Sequence, residues 1–371
     1  MLLLLGIIMF VGLVLVHEWG HFKAARRGGV EVEEFGLGFP PKAWGKKLKS
    51  GMELSVNWLP LGGFVRLKGE HDADTTPGSY GAANLKTKVK ILLAGVLMNL
   101  VTALILFTFL ALIGMPQIVE NQFNVVSDTK TAKQDILVAQ VVEDSPAKKA
   151  GLVFQDKITT ITSESGQVFE VAGADDLSKI TEELQAQEVV IEYERGGSSN
   201  TTTAKLLGTE EVKTSLETDS PKGYLGVAPT QYVLNRSTWS APVVAVGTSA
   251  QFTALTVQGI GSALGNVFSG NGHDAAQQVA GPVGIVSVIK DGGVLGYEFI
   301  VMIIAVISLT LAIMNALPIP ALDGGKLWVT LGFRAFKKKL TPKIEERIHG
   351  TGFVLLILLF VLITWIDIGR I

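Results

Sequence analysis

Val16-His17-Glu18-Trp19-Gly20-His21 follows an apolar run, Met1 to Val16, that contains no charged residue. Such a run reads as the start of a membrane-spanning helix. On a helix, His17 and His21 stand one turn apart on one face. Both imidazoles can then serve one zinc ion, with Glu18 left free to handle a proton. The plainer alternative is a pair of interfacial histidines closing a membrane anchor. Ionisable groups inside a membrane segment are costly and usually functional, which favours the metal. Two imidazoles do not complete a site, so the rest of the chain must supply a third ligand.

Composition narrows the field. At 371 residues the chain has room for two or three domains. Only 18% of residues are charged, which is low for a soluble protein. A net charge of −2 gives no reason to expect a nucleic-acid partner. With no cysteine, any metal must rest on His, Asp and Glu, and an extracytoplasmic domain must be stable without cross-links.

Residues 1–26 form the first expected span. They lack the basic n-region and cleavage site of a signal peptide and read as retained. Residues 27–88 form a loop on the cytoplasmic side. In it, Phe35-Gly36-Leu37-Gly38-Phe39-Pro40-Pro41 is expected to dip into the membrane interface. Glu53 to Trp58 alternates as a half-buried strand, Pro60-Leu61-Gly62-Gly63 can turn it, and Phe64 to Lys68 can return, predicting a membrane-associated β-hairpin. That hairpin is either plainly structural or a free edge that takes up substrate backbone as an added strand. Residues 89–115 are the second span, with Asn99 expected to face the helix bundle.

The composition turns polar over 116–230. Val141-Val142-Glu143-Asp144-Ser145-Pro146-Ala147-Lys148-Lys149-Ala150-Gly151-Leu152, followed by Asp156-Lys157-Ile158, resembles the signature of a PDZ domain, with Gln155 where glycine is usual. Tyr224-Leu225-Gly226-Val227 resembles the peptide-carboxylate loop of that family, placed last as in a circular permutation. The resemblance implies an inserted α+β PDZ-like domain that either binds a peptide ligand or blocks access. Residues 231–296 read as interfacial helices and linker, although Ser237–Gly272 is free of charge and rivals a span. Residues 297–325 are the third span and an Asp-bearing motif, 326–350 a basic loop, and 351–371 the fourth span.

Charge sets the topology. Lys23–Lys90 and Lys326–Arg347 hold nineteen of the thirty-two basic residues, so the positive-inside rule puts both in the cytoplasm and the PDZ-like domain outside. The first and third spans then run in the same direction, and Asp323 arrives at the depth of His17 and His21. A fifth span at 237–272 would put Asp323 a bilayer away, so the metal site argues for four. The expected fold is a multi-pass α-helical membrane protein with four transmembrane helices, a β-hairpin and the inserted domain.

His17, His21 and Asp323 make three ligands with a fourth position open for water, the pattern of a catalytic zinc site. Glu18 is the expected base for attack on a peptide carbonyl. Asp323 taken alone reads first as a helix cap at a Gly-rich turn, and only beside His17 and His21 at matching depth as a ligand. Asn315 can either bond an extended substrate backbone or satisfy backbone groups freed by Pro318 and Pro320. Among the other histidines, His71 lies in an acidic loop, and His273 and His349 lie in polar stretches with no catalytic role expected.

Over nearly its whole length the chain resembles the site-2 protease family of intramembrane zinc metalloproteases, of the regulator-of-sigma-factor type. The resemblance rests on His17 to His21, the Phe-Gly-Leu-Gly-Phe segment, Leu59 to Gly63, the PDZ-like domain and Asn315 to Gly325. It implies His17, His21 and Asp323 as zinc ligands, Glu18 as the catalytic residue, and Asn315, Pro318 and Pro320 as substrate-handling positions. It also implies cleavage of single-pass transmembrane proteins, such as anti-sigma factors or remnant signal peptides, in the inner membrane. The usual Gly-Pro-x-x-Asn of the second span stands here as Gly95-Val96-Leu97-Met98-Asn99, without the proline. A non-catalytic membrane PDZ adaptor and a zinc enzyme acting on a lipid or small molecule are the competing readings.

Overall fold

Residues 2–218, 220–270 and 281–369 are described by a computed structural model. Part of the linker expected at 231–296, and His273 within it, lies outside the described residues. The chain divides into two units: residues 1–109, 241–293 and 299–371, and residues 110–240 with 294–298.

The first unit is a helix bundle with a small sheet. α1 (Leu2–Arg27) carries the His17–His21 motif on its last three turns. β1 (Val32–Lys47) and β2 (Glu53–Leu67) follow, then α2 (Leu85–Ile113). Cross-contacts fix the helix directions. His21 meets Ile91 and His17 meets Asn99, so α2 runs antiparallel to α1. Gly20 permits the approach, since a Cβ there would stand 2.6 Å from the Ala94 carbonyl oxygen.

The remaining elements of the bundle come from the C-terminal part of the chain. They are α6 (Ala241–Phe268), α7 (Pro282–Gly292), α8 (Tyr297–Ala316), α9 (Asp323–Ala335) and α10 (Pro342–Ile368). Leu13, Ile289, Ile300 and Ile304 form a buried cluster joining α1, α7 and α8. Ile289 of α7 packs on Gly6 at the start of α1, while Asp323, just past α8, reaches the far end of α1. α8 therefore runs parallel to α1. α10 returns in the opposite sense: Gly352 packs on Pro320, and Asp367 near its end accepts the Gly284 N–H at 2.8 Å.

Five described helices, α1, α2, α6, α8 and α10, are long and apolar enough to cross a membrane, one more than the four expected. Their exposed side chains are apolar, as at Leu4, Ile8, Leu97, Ile105, Leu355 and Leu358. Apolar surface on that scale is stable only against lipid, so the chain is a multi-pass membrane protein.

The sheet corrects the predicted hairpin. Glu53–Val56 and Gly63–Arg66 do not pair with each other; both pair with Glu34–Leu37 of β1, which lies between them. The hairpin partner of Glu53–Asn57 is Lys42–Lys47, joined through a turn closed by Gly51 at φ 86°. Phe35 to Phe39, within the segment expected to dip into the interface, is strand. Alternating glycine and large apolar residues suit a strand whose bare positions admit neighbours: the Phe64 ring lies over Gly36, where a Cβ would clash.

The second unit is a seven-stranded sheet of order β3-β9-β4-β5-β7-β8, with β6 paired to β5. Its strands are β3 (Met115–Pro116), β4 (Lys130–Val141), β5 (Lys157–Thr162), β6 (Val168–Glu170), β7 (Glu188–Arg195), β8 (Ser198–Lys205) and β9 (Val227–Arg236). Helices α3 (Pro146–Lys149), α4 (Ala174–Glu183) and α5 (Thr209–Ser215) complete it. The core gathers Val138, Leu152, Ile158, Ile161, Leu177 and Ile191, among others. Gln155 takes φ 68°, the left-handed turn that glycine adopts at lower cost.

Asp156, fully buried, is held by Arg195, with Nε donating to Oδ1 and an Nη to Oδ2, each at 2.7 Å, and by the Val153 N–H at 2.8 Å. In Asp156→Ala these donors lose their acceptor, which costs about 3 kcal/mol, the low end for a broken buried pair because Arg195 keeps access to water. Amide exchange in β5 and β7 is expected to speed up roughly 100-fold; unchanged exchange would show the pair to be dispensable.

Candidate metal centre

The centre is assembled at the end of the bundle where α1, α2 and α9 meet. His17 and His21 occupy successive turns of α1, so their rings project from one face, 4.8 Å apart and edge to face. Asp323 opens α9. The helix start favours an anionic side chain, and two glycines let the chain reach it. A Cβ on Gly324 would meet the Leu317 and Ala316 carbonyls, and one on Gly325 would meet that of Ile319. Ala321 takes φ 74° in the same turn and donates its N–H to Nδ1 of His349 at 3.2 Å.

Three donor atoms converge. Nε2 of His17 and Nε2 of His21 each lie 3.1 Å from Oδ2 of Asp323, and 3.2 Å from one another. A tetrahedral zinc ion with ligands at about 2.0–2.1 Å keeps its donors roughly 3.3–3.4 Å apart. The triangle therefore fits zinc with a few tenths of an ångström of adjustment. Hydrogen bonding alone fits less well, because a single proton serves only one edge of the triangle. Among the described residues these three are the group of His, Asp and Glu side chains that can hold a metal.

Around the donors lies a cavity of about 190 Å³, whose wall includes Glu18, Phe64, Val65, Tyr80 and Lys326. Glu18 follows His17 directly, and its Cγ packs against β2: a Cβ on Gly63 would stand 3.0 Å from it. Bare backbone at Gly63 thus lets a strand pass beside the carboxylate. Lys326 is three residues beyond Asp323 on α9, hence on the same face.

The structure gathers His17, Glu18, His21 and Asp323 at one cavity and leaves Asn315, Pro318 and Pro320 outside its wall. Asn315 is half-buried on the last turn of α8, Pro318 is exposed, and Pro320 is pressed against Gly352. Sequence reasoning missed Gly63, Gly95 and Lys326. Gly95 of α2 faces both rings: a Cβ there would overlap Nε2 of His21 and lie 2.6 Å from Cε1 of His17. Only its place in a Gly-x-x-x-Asn pattern hinted at this. His349 supports a turn, and His71 lies 3.7 Å from Glu345.

Two imidazoles one helical turn apart and a carboxylate from a distant helix, enclosed by a bundle of lipid-facing helices, define a membrane metallohydrolase. Residues 5–359 match Peptidase family M50, and the chain belongs to that family, the site-2 class of membrane zinc proteases. It is 30% identical over 370 residues to a Clostridium perfringens protein provisionally named zinc metalloprotease CPE1693, covering 99% of this chain and 98% of the relative. It is similar to zinc metalloprotease RasP of Shouchella clausii, 25% identical over 453 aligned residues and 99% of each chain. The "Probable protease eep" of Enterococcus faecalis is 26% identical, covering 98% of each.

Proposed function

We propose that the chain is an intramembrane endopeptidase that hydrolyses peptide bonds within transmembrane segments of single-pass membrane proteins, anti-sigma factors or remnant signal peptides among them. The observation that carries this reading is the convergence of His17, His21 and Asp323 beside Glu18 at one end of a bundle of apolar helices. In this reading the three donors hold zinc, which when bound supplies Lewis-acid chemistry, polarising a peptide carbonyl and lowering the pKa of water. Glu18 takes a proton from the attacking water as its oxygen bonds to the carbonyl carbon. It returns that proton to the nitrogen as the C–N bond breaks. Lys326 contributes a positive charge to the same cavity.

A helical substrate hides its carbonyls in intrahelical bonds and must be extended before attack. Gly63–Arg66 pairs with β1 on one side only among the described residues, and Phe64 and Val65 line the cavity. An extended segment can add to that edge as a further strand. Asn315 makes no side-chain hydrogen bond among the described residues, which leaves its amide available to a substrate backbone. Pro318 and Pro320 break the chain after α8 and keep neighbouring carbonyls out of a helix.

In this reading the chain crosses the membrane four times. α2 ends on the side where α8 begins, so the segment between them crosses an even number of times, and α6 lies at the interface in this reading. The basic loops put the metal end in the cytoplasm and the second unit outside. That unit fits a PDZ-like domain. The N–H groups of Leu225 and Gly226, at a loop with Gly226 at φ 78°, donate to no group among the described residues. They form a backbone nest suited to a peptide carboxylate, at the start of the edge of β9 that α4 flanks.

The test is cleavage of a single-pass transmembrane peptide by the purified, zinc-loaded chain. A chelator abolishes cleavage and added zinc restores it; chelator-resistant cleavage refutes the metal centre. A non-catalytic adaptor would bind the peptide and leave it whole. Replacing a helix-breaking glycine near the cut by leucine stabilises the substrate helix by about 1 kcal/mol and is expected to slow cleavage roughly fivefold. Equal rates would sink the extended-substrate part of the proposal.

A further inference from the structure

We propose that Asn99 fixes the ring orientation and tautomer of His17, so that one face of α2 belongs to the metal centre although it provides no ligand. Ile91, Gly95 and Asn99 are spaced by four and form a single row on α2 facing α1. Each does something different to the imidazoles. The Ile91 carbonyl accepts from Nδ1 of His21 at 2.8 Å. Gly95 supplies the space in which both rings lie. The Asn99 amide, 1% exposed, sits 3.2 Å from Nδ1 of His17.

The hydrogen-bond network decides which amide atom faces the ring, because the oxygen and nitrogen of asparagine occupy interchangeable positions. With the NH₂ group donating, Nδ1 of His17 is bare and its proton sits on Nε2, aimed at Asp323. With Oδ1 facing the ring, Nδ1–H donates to it and Nε2 keeps its lone pair. Only this second arrangement lets His17 present Nε2 to the donor triangle as His21 does. The backbone holds Asn99 in place: Oγ of Ser308 on α8 donates to the Asn99 carbonyl at 2.8 Å. Val96, where the family pattern has proline, lies a third of a turn away from the Gly95 row. Its substitution leaves this face intact.

This inference rests on His17 being a ligand, so the experiment separates the two. Zinc affinity is measured by competition with a chromophoric chelator on the purified full chain. Wild type binding no zinc would refute the ligand assignment itself. Given wild-type binding, Asn99→Leu is expected to weaken it roughly 10–100-fold, and Asn99→Asp, which keeps an acceptor, to stay within about threefold. Ser308→Ala loosens the Asn99 backbone but keeps the imidazole contact, and is expected to weaken zinc binding by only a few fold. Wild-type affinity in Asn99→Leu, an Asn99→Asp as weak as Asn99→Leu, or a Ser308→Ala loss equal to that of Asn99→Leu each overturns the proposal. Should Asn99→Leu fail to fold, ¹⁵N shifts of the zinc-free wild type decide the matter. A protonated Nδ1 on His17 is the expected result and a bare one the contrary.

Discussion

Glu18→Gln is expected to hold zinc with wild-type stoichiometry and to lose cleavage of a transmembrane peptide by about 10²–10⁴-fold, the usual contribution of a positioned general base. Glutamine preserves the shape that packs against Gly63, so the β2 strand beside the site is not displaced. It removes the cavity-wall carboxylate that follows His17 directly and stands outside the donor triangle. Substrate contacts on the strand edge are untouched, so the loss is expected in kcat with KM little changed. Metal analysis paired with single-turnover cleavage checks both halves. Full activity with zinc bound would remove Glu18 from the reaction, whereas loss of zinc would make it part of the metal-holding structure.

Gly95→Ala is expected to be as severe by another route. The added Cβ falls on Nε2 of His21 and close to the His17 ring. Rotating the rings away relieves the clash and takes their Nε2 atoms off the donor triangle. Withdrawing α2 is no easier, since Gly20 lies against the Ala94 carbonyl and Ser308 holds the Asn99 carbonyl. Zinc affinity is expected to fall on the order of 100-fold or more, the upper end for residues just outside the ligand set. Gly12→Ala, where nothing lies within 4 Å of the new Cβ, is the control and is expected to bind zinc normally. Equal affinity in both variants would mean that α2 yields more freely than its contacts imply.

Much of this was legible before any coordinates. The charge-free run into His17-Glu18-Trp19-Gly20-His21 announces a helix with two imidazoles on one face, because helical periodicity is local. Asp323 was legible only through the direction of the spans, and the structure brings it to 3.1 Å from both rings. The partner of Glu53–Val56 was not legible. Alternation identifies a strand but not its neighbour, and Glu34–Leu37 had to be seen lying between the two arms of β2. Gly63 and Gly95 were equally silent, since a residue chosen for having no side chain carries meaning only through what occupies the space. Ser237–Gly272 has the composition both of a span and of an interfacial helix, and local pattern cannot separate them.

The donor triangle joins His21 to Asp323, 302 positions later in the chain. In the proposed reading a growing chain is therefore chemically inert for nearly its whole length. Until α9 has been made and has folded back past Gly324 and Gly325, two imidazoles wait without their third partner. Fragments ending before α9, whether from interrupted translation or from proteolysis, carry Glu18 and both histidines into the membrane and still lack a hydrolytic centre. Separating the proposed ligands in this way would delay activity until the bundle that confines it exists, and so would spare the other helices of the bilayer from a half-built protease.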